Sequence, residues 1–352
     1  MRAKTIQTKE ADMALKFVTS DAVQSLRKTV GVSEESLVES IEEVASAAEA
    51  LMEAQADGAE ICQVLDNLTI ACESLKNGGL TANLIGVFNS EGELSACAGQ
   101  ENLTIAGLEA LAENQVKTLS AKYVAGVEGR MTEYWAKFIA YLKNLWAKIV
   151  NWFKSILTNR ARYVKALTEG GDVNDEQFKK AASTKFKSIG PKGVNPMMDP
   201  AYTDLVDEIS KCASAVKSKS ASNLADDPGF DVKVISAFEE KFKISEETTL
   251  SDYFVNAQRF NDVVSSYRKS AGSQKFLVAS KDVDTAFKTL VTDAGNAAGI
   301  TDEEKKTATK NAINTRRNTI NTLLRACRVE ARHCMKVGGT LLRLKKTILA
   351  AK

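Results

Sequence analysis

The sequence predicts an all-α protein, an extended multi-helix bundle with at most one small β-hairpin near residues 84–96. Only four prolines occur in 352 residues, and all lie between Pro191 and Pro228, so the flanking parts can form long helices. Large apolar residues also recur every three or four positions, which is the spacing of one helix face. A central Trp/Lys amphipathic helix and a basic C-terminal helix are the dominant predicted elements.

Residues 1–113 are predicted to form an acidic helical segment. From residue 29 to 116 the chain has sixteen Asp/Glu and a single basic residue, Lys76. Helical spacing predicts two helices here, from Leu37 to Leu51 and from Ala59 to Leu75. The following Asn-Gly-Gly sequence predicts the end of the second helix, because glycine adopts the left-handed cap conformation at little cost.

The stretch after these helices has β character. Leu84–Phe88 and Leu94–Ala96 flank the turn sequence Asn89-Ser-Glu-Gly92, so they could form the two strands of a hairpin. A loop over the helix ends is equally compatible with this sequence. Both alternatives stay open at this point.

Residues 114–168 are predicted to contain the central helix, which holds all three tryptophans of the chain. Its large apolar residues follow alternating steps of three and four, as expected for a helix face that packs against other helices. The predicted packing residues are Trp135, Phe138, Leu142, Leu145, Trp146, Ile149, Trp152 and Phe153.

The other side of this helix is basic. Between residues 117 and 165 there are ten Lys/Arg and two Asp/Glu. A basic helix with tryptophans can also lie on a membrane surface, although such a stripe is more often core. No run approaches 18 consecutive apolar residues, so a membrane span is not expected.

Residues 169–200 contain the dipeptides Gly190-Pro191, Asn195-Pro196 and Asp199-Pro200, which are typical of turns and loops. They are therefore predicted to form a linker or an irregular excursion. Residues 201–352 are predicted to form a helical C-terminal domain that ends in a basic tail from residue 305. Within it, capping signals and apolar spacing predict helices over Tyr202–Ser218, Val232–Phe242, Thr249–Ser270 and Lys281–Ala294.

The basic tail, residues 305–352, has thirteen Lys/Arg and one Glu. As a helix it would be roughly 70 Å long and could lie along a phosphate backbone. It has no base-reading motif, so binding to double-stranded DNA would be non-specific. The alternatives are packing on the protein's own acidic helices and contact with a membrane surface. The candidate nucleic-acid-binding residues are Arg316, Arg317, Arg325, Arg328, Arg332, Lys336, Arg343, Lys345 and Lys346.

Catalytic and metal-binding signals are weak. His333 is the only histidine, and it adjoins Cys334 on the predicted helix, where neighbouring side chains diverge by about 100° and could not easily share a metal. The six cysteines show no close pairing, which is typical of reduced thiols in a cytoplasmic setting. We therefore predict no enzyme, no catalytic residue, no metal, no cofactor and no small-molecule substrate.

Residues 30–168 contain an Ala/Glu-rich acidic half, then Glu73-Ser-Leu-Lys-Asn-Gly-Gly-Leu80, then a short helix, then a helix of the form W-x-K-x-x-x-x-L-K-x-x-W-x-K-I-x-x-W-F-K, then Arg160-Ala-Arg162. This succession resembles the internal head proteins of large tailed bacteriophages. The resemblance implies a virion protein of the capsid interior, present in the host cytoplasm during assembly. Its implied partners are packaged DNA and other head or scaffold proteins.

The resemblance also implies proteolytic maturation, because many such proteins are trimmed by a prohead protease after a Glu and some are ejected with the DNA. Glu113 is the candidate processing site, and Glu39, Glu49 and Glu53 lie in similar contexts. Residues 1–113 carry a net charge of −12, so a cut after Glu113 would leave a strongly basic product. The hypothesis is that this acidic segment is a propiece, which masks the basic remainder during head assembly and is then removed so that the remainder binds DNA. The alternative function is a helical scaffolding protein whose acidic and basic segments pair with itself or a shell, without DNA contact.

Overall fold

The computed structural model confirms the all-α prediction. Its description covers residues 34–90, 94, 104–218, 229–243, 246–297, 300 and 303–351. Four long helices dominate these residues, and each is an amphipathic or apolar-rich stretch without an internal proline. They are α1 (Glu34–Gly78), α4 (Glu113–Thr168), α10 (Gln274–Ala297) and α11 (Glu303–Ala350).

Shorter helices and one pair of strands connect the long helices. The short helices are α2 (Ala82–Ser90), α3 (Ile105–Glu109), α5 (Asp175–Lys180), α6 (Pro200–Ser218), α7 (Val232–Phe242), α8 (Leu250–Phe254) and α9 (Ala257–Ala271). Strands β1 (Lys185–Lys187) and β2 (Glu247–Thr249) pair antiparallel, with Phe186 opposite Thr248. The sequence between residues 169 and 200 therefore contains a capped helix and a strand as well as turns.

The chain divides into two compact units. Unit 1 contains the described residues within 34–51, 146–293 and 307–351, and unit 2 those within 52–145 and 294–306. The core of unit 1 includes Trp152, Phe260 and Phe287, each almost fully buried. The core of unit 2 includes Leu68 of α1 and Phe138 of α4.

The prediction of two helices between residues 37 and 75 was wrong, because α1 is continuous from Glu34 to Gly78. The predicted break between Leu51 and Ala59 contains Gly58, which lies inside the helix. A Cβ atom at Gly58 would be 1.9 Å from the ring of Tyr141 in α4. The glycine therefore allows a close approach between α1 and α4 and does not end the helix. The predicted end was correct, since Gly79 has a left-handed φ of 67°.

The hairpin alternative for residues 84–96 was also wrong where the structure describes them. Residues 84–88 lie in helix α2, whose first turn is capped by the Thr81 hydroxyl accepting a hydrogen bond from the Leu84 amide at 3.3 Å. Ile85 and Phe88 are buried on one face, a spacing of three that a strand could not provide. Of residues 91–96, only Leu94 lies within the described part of the chain.

The predicted helix from Thr249 to Ser270 is interrupted. Thr249 does cap a helix, as its hydroxyl accepts a hydrogen bond from the Asp252 amide at 3.2 Å. That helix, α8, ends at Phe254 because Val255 adopts a φ of 69°. Asn256 then caps the new helix α9 by accepting from the Arg259 amide.

Candidate nucleic-acid interface

Seven cations of α11 line one side of the helix, and we call them the arginine stripe. At about 100° per residue they fall within an arc of roughly 100°, and at 1.5 Å per residue they extend over about 44 Å. Four are exposed and three are half-buried. The stripe consists of Arg317, Arg325, Arg328, Arg332, Lys336, Arg343 and Lys346.

Two of the predicted DNA-contacting cations point into unit 1 instead. Arg316 is 1% exposed and donates a hydrogen bond to the Val216 carbonyl at 2.8 Å. Lys345 is 4% exposed and donates to the Leu167 and Glu169 carbonyls at 2.7 and 2.9 Å. Both lie about 160–180° from Arg325 around the helix, so the helical period already separates them from the stripe.

The stripe concentrates positive charge. Burial lowers the pKa of Arg328, and the neighbouring guanidinium groups of Arg332 and Arg325 lower it further. Burial also lowers the pKa of Lys336, with a smaller effect from Lys187 of strand β1. Mutual repulsion of this kind is typical of a surface that an anion can neutralise.

One carboxylate lies near the stripe. Glu239 of α7 is 3.8 Å from the Arg325 guanidinium, and both side chains are about half exposed. An exposed pair at this distance is weak, so it leaves most of the charge of Arg325 available to a ligand.

The inner side of α11 is fixed by a buried ion pair. Arg160 of α4 binds Glu330, and their side chains are 4% and 1% exposed. Tyr202 of α6 donates a hydrogen bond to the second carboxylate oxygen of Glu330 at 2.9 Å. Burial lowers the pKa of Arg160, but Glu330, together with Cys334 and Tyr202, more than offsets burial, so the net effect raises the pKa of Arg160. This network orients α11 so that the arginine stripe faces outward.

His333 also lies on the inner side. Its ring packs among Tyr202, Phe238 and Phe242, with centroid distances of 4.5–5.6 Å. Burial lowers the pKa of His333 to about 4, partly opposed by a hydrogen bond with the backbone of Pro196. The imidazole is therefore neutral at pH 7 and belongs to an aromatic core cluster.

The described residues also bear on metal binding, disulfide bonding and membrane spanning. Within them, no group of three or more His, Cys, Asp or Glu side chains could hold a metal ion. Five cysteines are buried there without a disulfide bond, whereas Cys97 lies outside the described residues. No helix that the structure describes is both long and apolar enough to cross a membrane.

The predicted packing residues of α4 line its inner face. Seven of them are at most 5% exposed, and Trp146 is half-buried. Trp135 donates through Nε1 to the Ala294 carbonyl at 3.0 Å within unit 2. In unit 1, Trp146 donates through Nε1 to Asp284 at 2.7 Å. The tryptophans therefore contact the protein itself.

Glu113, the candidate processing site, is the first residue of α4 and is strongly exposed. It follows the non-helical residues 110–112, which separate α3 from α4. Glu39, Glu49 and Glu53 instead lie inside α1. Backbone at an exposed turn is more accessible to a protease than backbone inside a helix.

Sequence reasoning missed two contributors to the interface. Lys187 of β1 lies near Lys336, and no local pattern relates two residues that far apart in the chain. Glu330 was overlooked although it is the only acidic side chain after Lys305. A lone carboxylate on the apolar side of a basic helix was the available signal for a buried ion pair.

The family comparison supports the predicted resemblance. The model of the phiKZ-like phage internal head proteins matches residues 33–170, which include all of α1 and α4, while α11 lies outside the match. Comparisons with curated proteins and with solved structures gave no match. Internal head proteins are structural components located inside the phage capsid. Residues 33–170 are thus similar to the phiKZ-like phage internal head proteins, and this match covers less than half of the chain.

Proposed function

We propose that this protein is a structural component of the phage head and binds packaged double-stranded DNA without sequence preference through the arginine stripe. The supporting observation is a row of seven accessible cations on one side of α11, of which Arg325 forms a weak, half-exposed pair with Glu239. Charge of this density attracts the phosphate backbone, and phosphate contacts carry no sequence information. The family match supports a location where DNA is the abundant polyanion.

A salt titration tests this proposal. If all seven cations contact phosphates, the logarithm of the binding constant should fall with log salt at a slope of about −6. Replacing the exposed Arg325, Arg332 and Arg343 with Gln should reduce that slope by about 3. The measurement is fluorescence anisotropy with duplexes of two unrelated sequences, which should give equal affinities.

A matched control removes three exposed lysines that already pair with exposed carboxylates. These are Lys117, Lys137 and Lys275, which pair with Glu113, Glu133 and Asp207. Their replacement with Gln changes net charge equally but should leave the slope within about 1 of the wild-type value. Equal losses in both triple variants would mean that net charge, and not the stripe, drives binding.

We further propose that a prohead protease cuts after Glu113. The bond after Glu113 lies in the first turn of α4, beside the non-helical residues 110–112, whereas the competing glutamates lie inside α1. Mass spectrometry of protein from mature particles should find a new N-terminus at Asn114. Full-length protein with intact N-terminal peptides would exclude processing.

The alternative function is assembly through the acidic segment without DNA contact. Its support is the outer face of α1, where Met52 and Ile70 are 56% and 63% exposed. They are eighteen residues apart, so they lie on the same side, and Glu53, Asp57 and Glu60 are exposed around them. An absence of DNA binding at low salt, together with concentration-dependent self-association, would favour this alternative.

A further inference from the structure

Unit 1 has a second basic surface, in a groove between the C-terminal turns of α4 and α9. The groove has a volume of about 670 Å³ and contains three cations, Lys165, Arg268 and Lys269, with one carboxylate, Glu169. Two small residues, Ala161 of α4 and Gly272 directly after α9, leave the space between the helices open. The groove therefore combines room for a ligand with net positive charge.

Lys345 of α11 increases the positive charge at this end of α4. Its ammonium group donates to the Leu167 and Glu169 carbonyls, so it offsets the negative end of the α4 helix dipole. Burial lowers the pKa of Lys345; Asp172 opposes this effect, and Arg268 adds to it. The groove cations thus lie beside a further buried cation and are suited to an anionic ligand.

The groove and the arginine stripe lie on opposite sides of α11. Arg343 belongs to the stripe and is exposed, whereas Lys345, two residues later, is buried against the end of α4. Side chains two residues apart on a helix diverge by about 160°. A short DNA duplex is stiff, since its persistence length is about 150 base pairs, so a straight duplex on one surface does not reach the other.

We propose that unit 1 binds two DNA segments at once, one on the arginine stripe and one at the groove, and so bridges them. This inference rests on the proposed DNA-binding function and extends it from coating DNA to joining neighbouring segments. The ligand at both surfaces is the phosphate backbone. Three groove cations are enough for a weaker, strongly salt-dependent second contact.

A capture assay with the full-length protein tests bridging. One 20-base-pair duplex is fixed to beads, and a second, fluorescent duplex is supplied in solution with limiting protein. Wild-type protein should retain the fluorescent duplex on the beads. Replacing Lys165, Arg268 and Lys269 with Gln should lower retention at least tenfold, while anisotropy shows single-duplex affinity within about threefold of wild type.

Two further variants keep the test decisive. Lys269→Gln alone changes an exposed side chain and should lower retention in the same direction. The control with Lys117, Lys137 and Lys275 replaced by Gln should bridge like wild type. If the groove variant bridges as well as wild type, then protein–protein contact joins the duplexes and the inference is overturned.

The assay also separates this inference from the proposed function. Wild-type protein that binds single duplexes but retains no second duplex would overturn bridging alone. Wild-type protein that binds no duplex at low salt would overturn DNA binding and bridging together.

Discussion

Glu330 shows how one side chain can orient a whole helix. It is buried beside Arg160, and Tyr202 donates a hydrogen bond to its other oxygen. The Arg160 guanidinium also stacks 3.9 Å from the centroid of the Phe276 ring. Because both charges are removed from water, each depends on the other for compensation.

Glu330→Gln should therefore lower the free energy of unfolding by roughly 3–5 kcal/mol, since it leaves the buried Arg160 charge without a counter-charge. Urea unfolding followed by circular dichroism would measure the loss. Replacing Glu239, the half-exposed partner of Arg325, with Gln should cost less than about 1 kcal/mol. Adding Arg160→Met to Glu330→Gln should recover part of the loss; no recovery would argue against an uncompensated charge as the cause.

His333 gives unit 1 a defined response to acid. Its pKa is about 4 in the folded protein and 6.5 in an unperturbed histidine, so the folded state binds the proton more weakly. The stability contribution is therefore complete above pH 6.5 and is lost as the pH falls toward 4. The full effect is roughly 3 kcal/mol.

His333→Phe should flatten the decrease in unfolding free energy between pH 6.5 and 4.5, because phenylalanine fills a similar aromatic site without titrating. Since the chain has a single histidine, an NMR titration of its imidazole protons reports this group alone. A measured pKa near 6.5 would show that the ring is solvated and would contradict the buried position.

Among the elements, the junction between α8 and α9 is the most strained that the structure describes. Val255 has φ 69° and ψ −47°, and the Asn256 amide donates to the Phe254 carbonyl at 2.8 Å across it. These angles match a classic γ-turn, which is rare and costly for a β-branched residue. The side chain is 71% exposed, so packing does not explain the valine.

Val255→Gly should raise the unfolding free energy by roughly 1 kcal/mol, because glycine adopts positive φ without the Cβ clash. The same change at Val278, a partly exposed position inside α10, should lower it, because glycine disfavours helix. Urea midpoints of the two variants should move in opposite directions. A lower midpoint for Val255→Gly would mean that the turn is not strained.

At the scale of the whole molecule, the acidic and basic segments are not separable at Glu113 by a cut alone. Unit 2 contains both α1 residues and α4 residues, and they are in contact. Tyr141 packs on Gly58, Lys76 pairs with Glu128 at 2.9 Å, and the ring of Phe88 in α2 is 5.0 Å from that of Tyr123. Removal of an acidic propiece would require unit 2 to open.

A chain cut in the turn at residues 110–112 should therefore stay associated under native conditions. A recognition sequence for a site-specific protease placed in that turn would produce the cut. The two fragments should elute together in size-exclusion chromatography and separate on a denaturing gel. Separate elution under native conditions would mean that these contacts do not hold unit 2 together after cleavage.

The helical architecture was predictable because it depends on local information. Scarce proline, apolar residues three and four apart, and capping residues such as Thr249 act within a few positions of the chain. The exact helix bounds were less predictable. The predicted break between Leu51 and Ala59 does not exist, and Tyr141, 83 residues from Gly58 in sequence, explains why a glycine is needed inside α1.

The amino-acid sequence was enough to predict that the protein is helical, that its charges are sorted into acidic and basic blocks, and that α11 has cations on one side. Packing was needed to show that Arg316 and Lys345 bind backbone carbonyls of the core, that Lys187 adjoins the stripe, and that a basic groove forms between α4 and α9. The physical reason is the distance along the chain over which each property is determined. Helix formation and charge content are set by neighbours in the chain, whereas burial and the pairing of Arg160 with Glu330 depend on residues brought together only by packing.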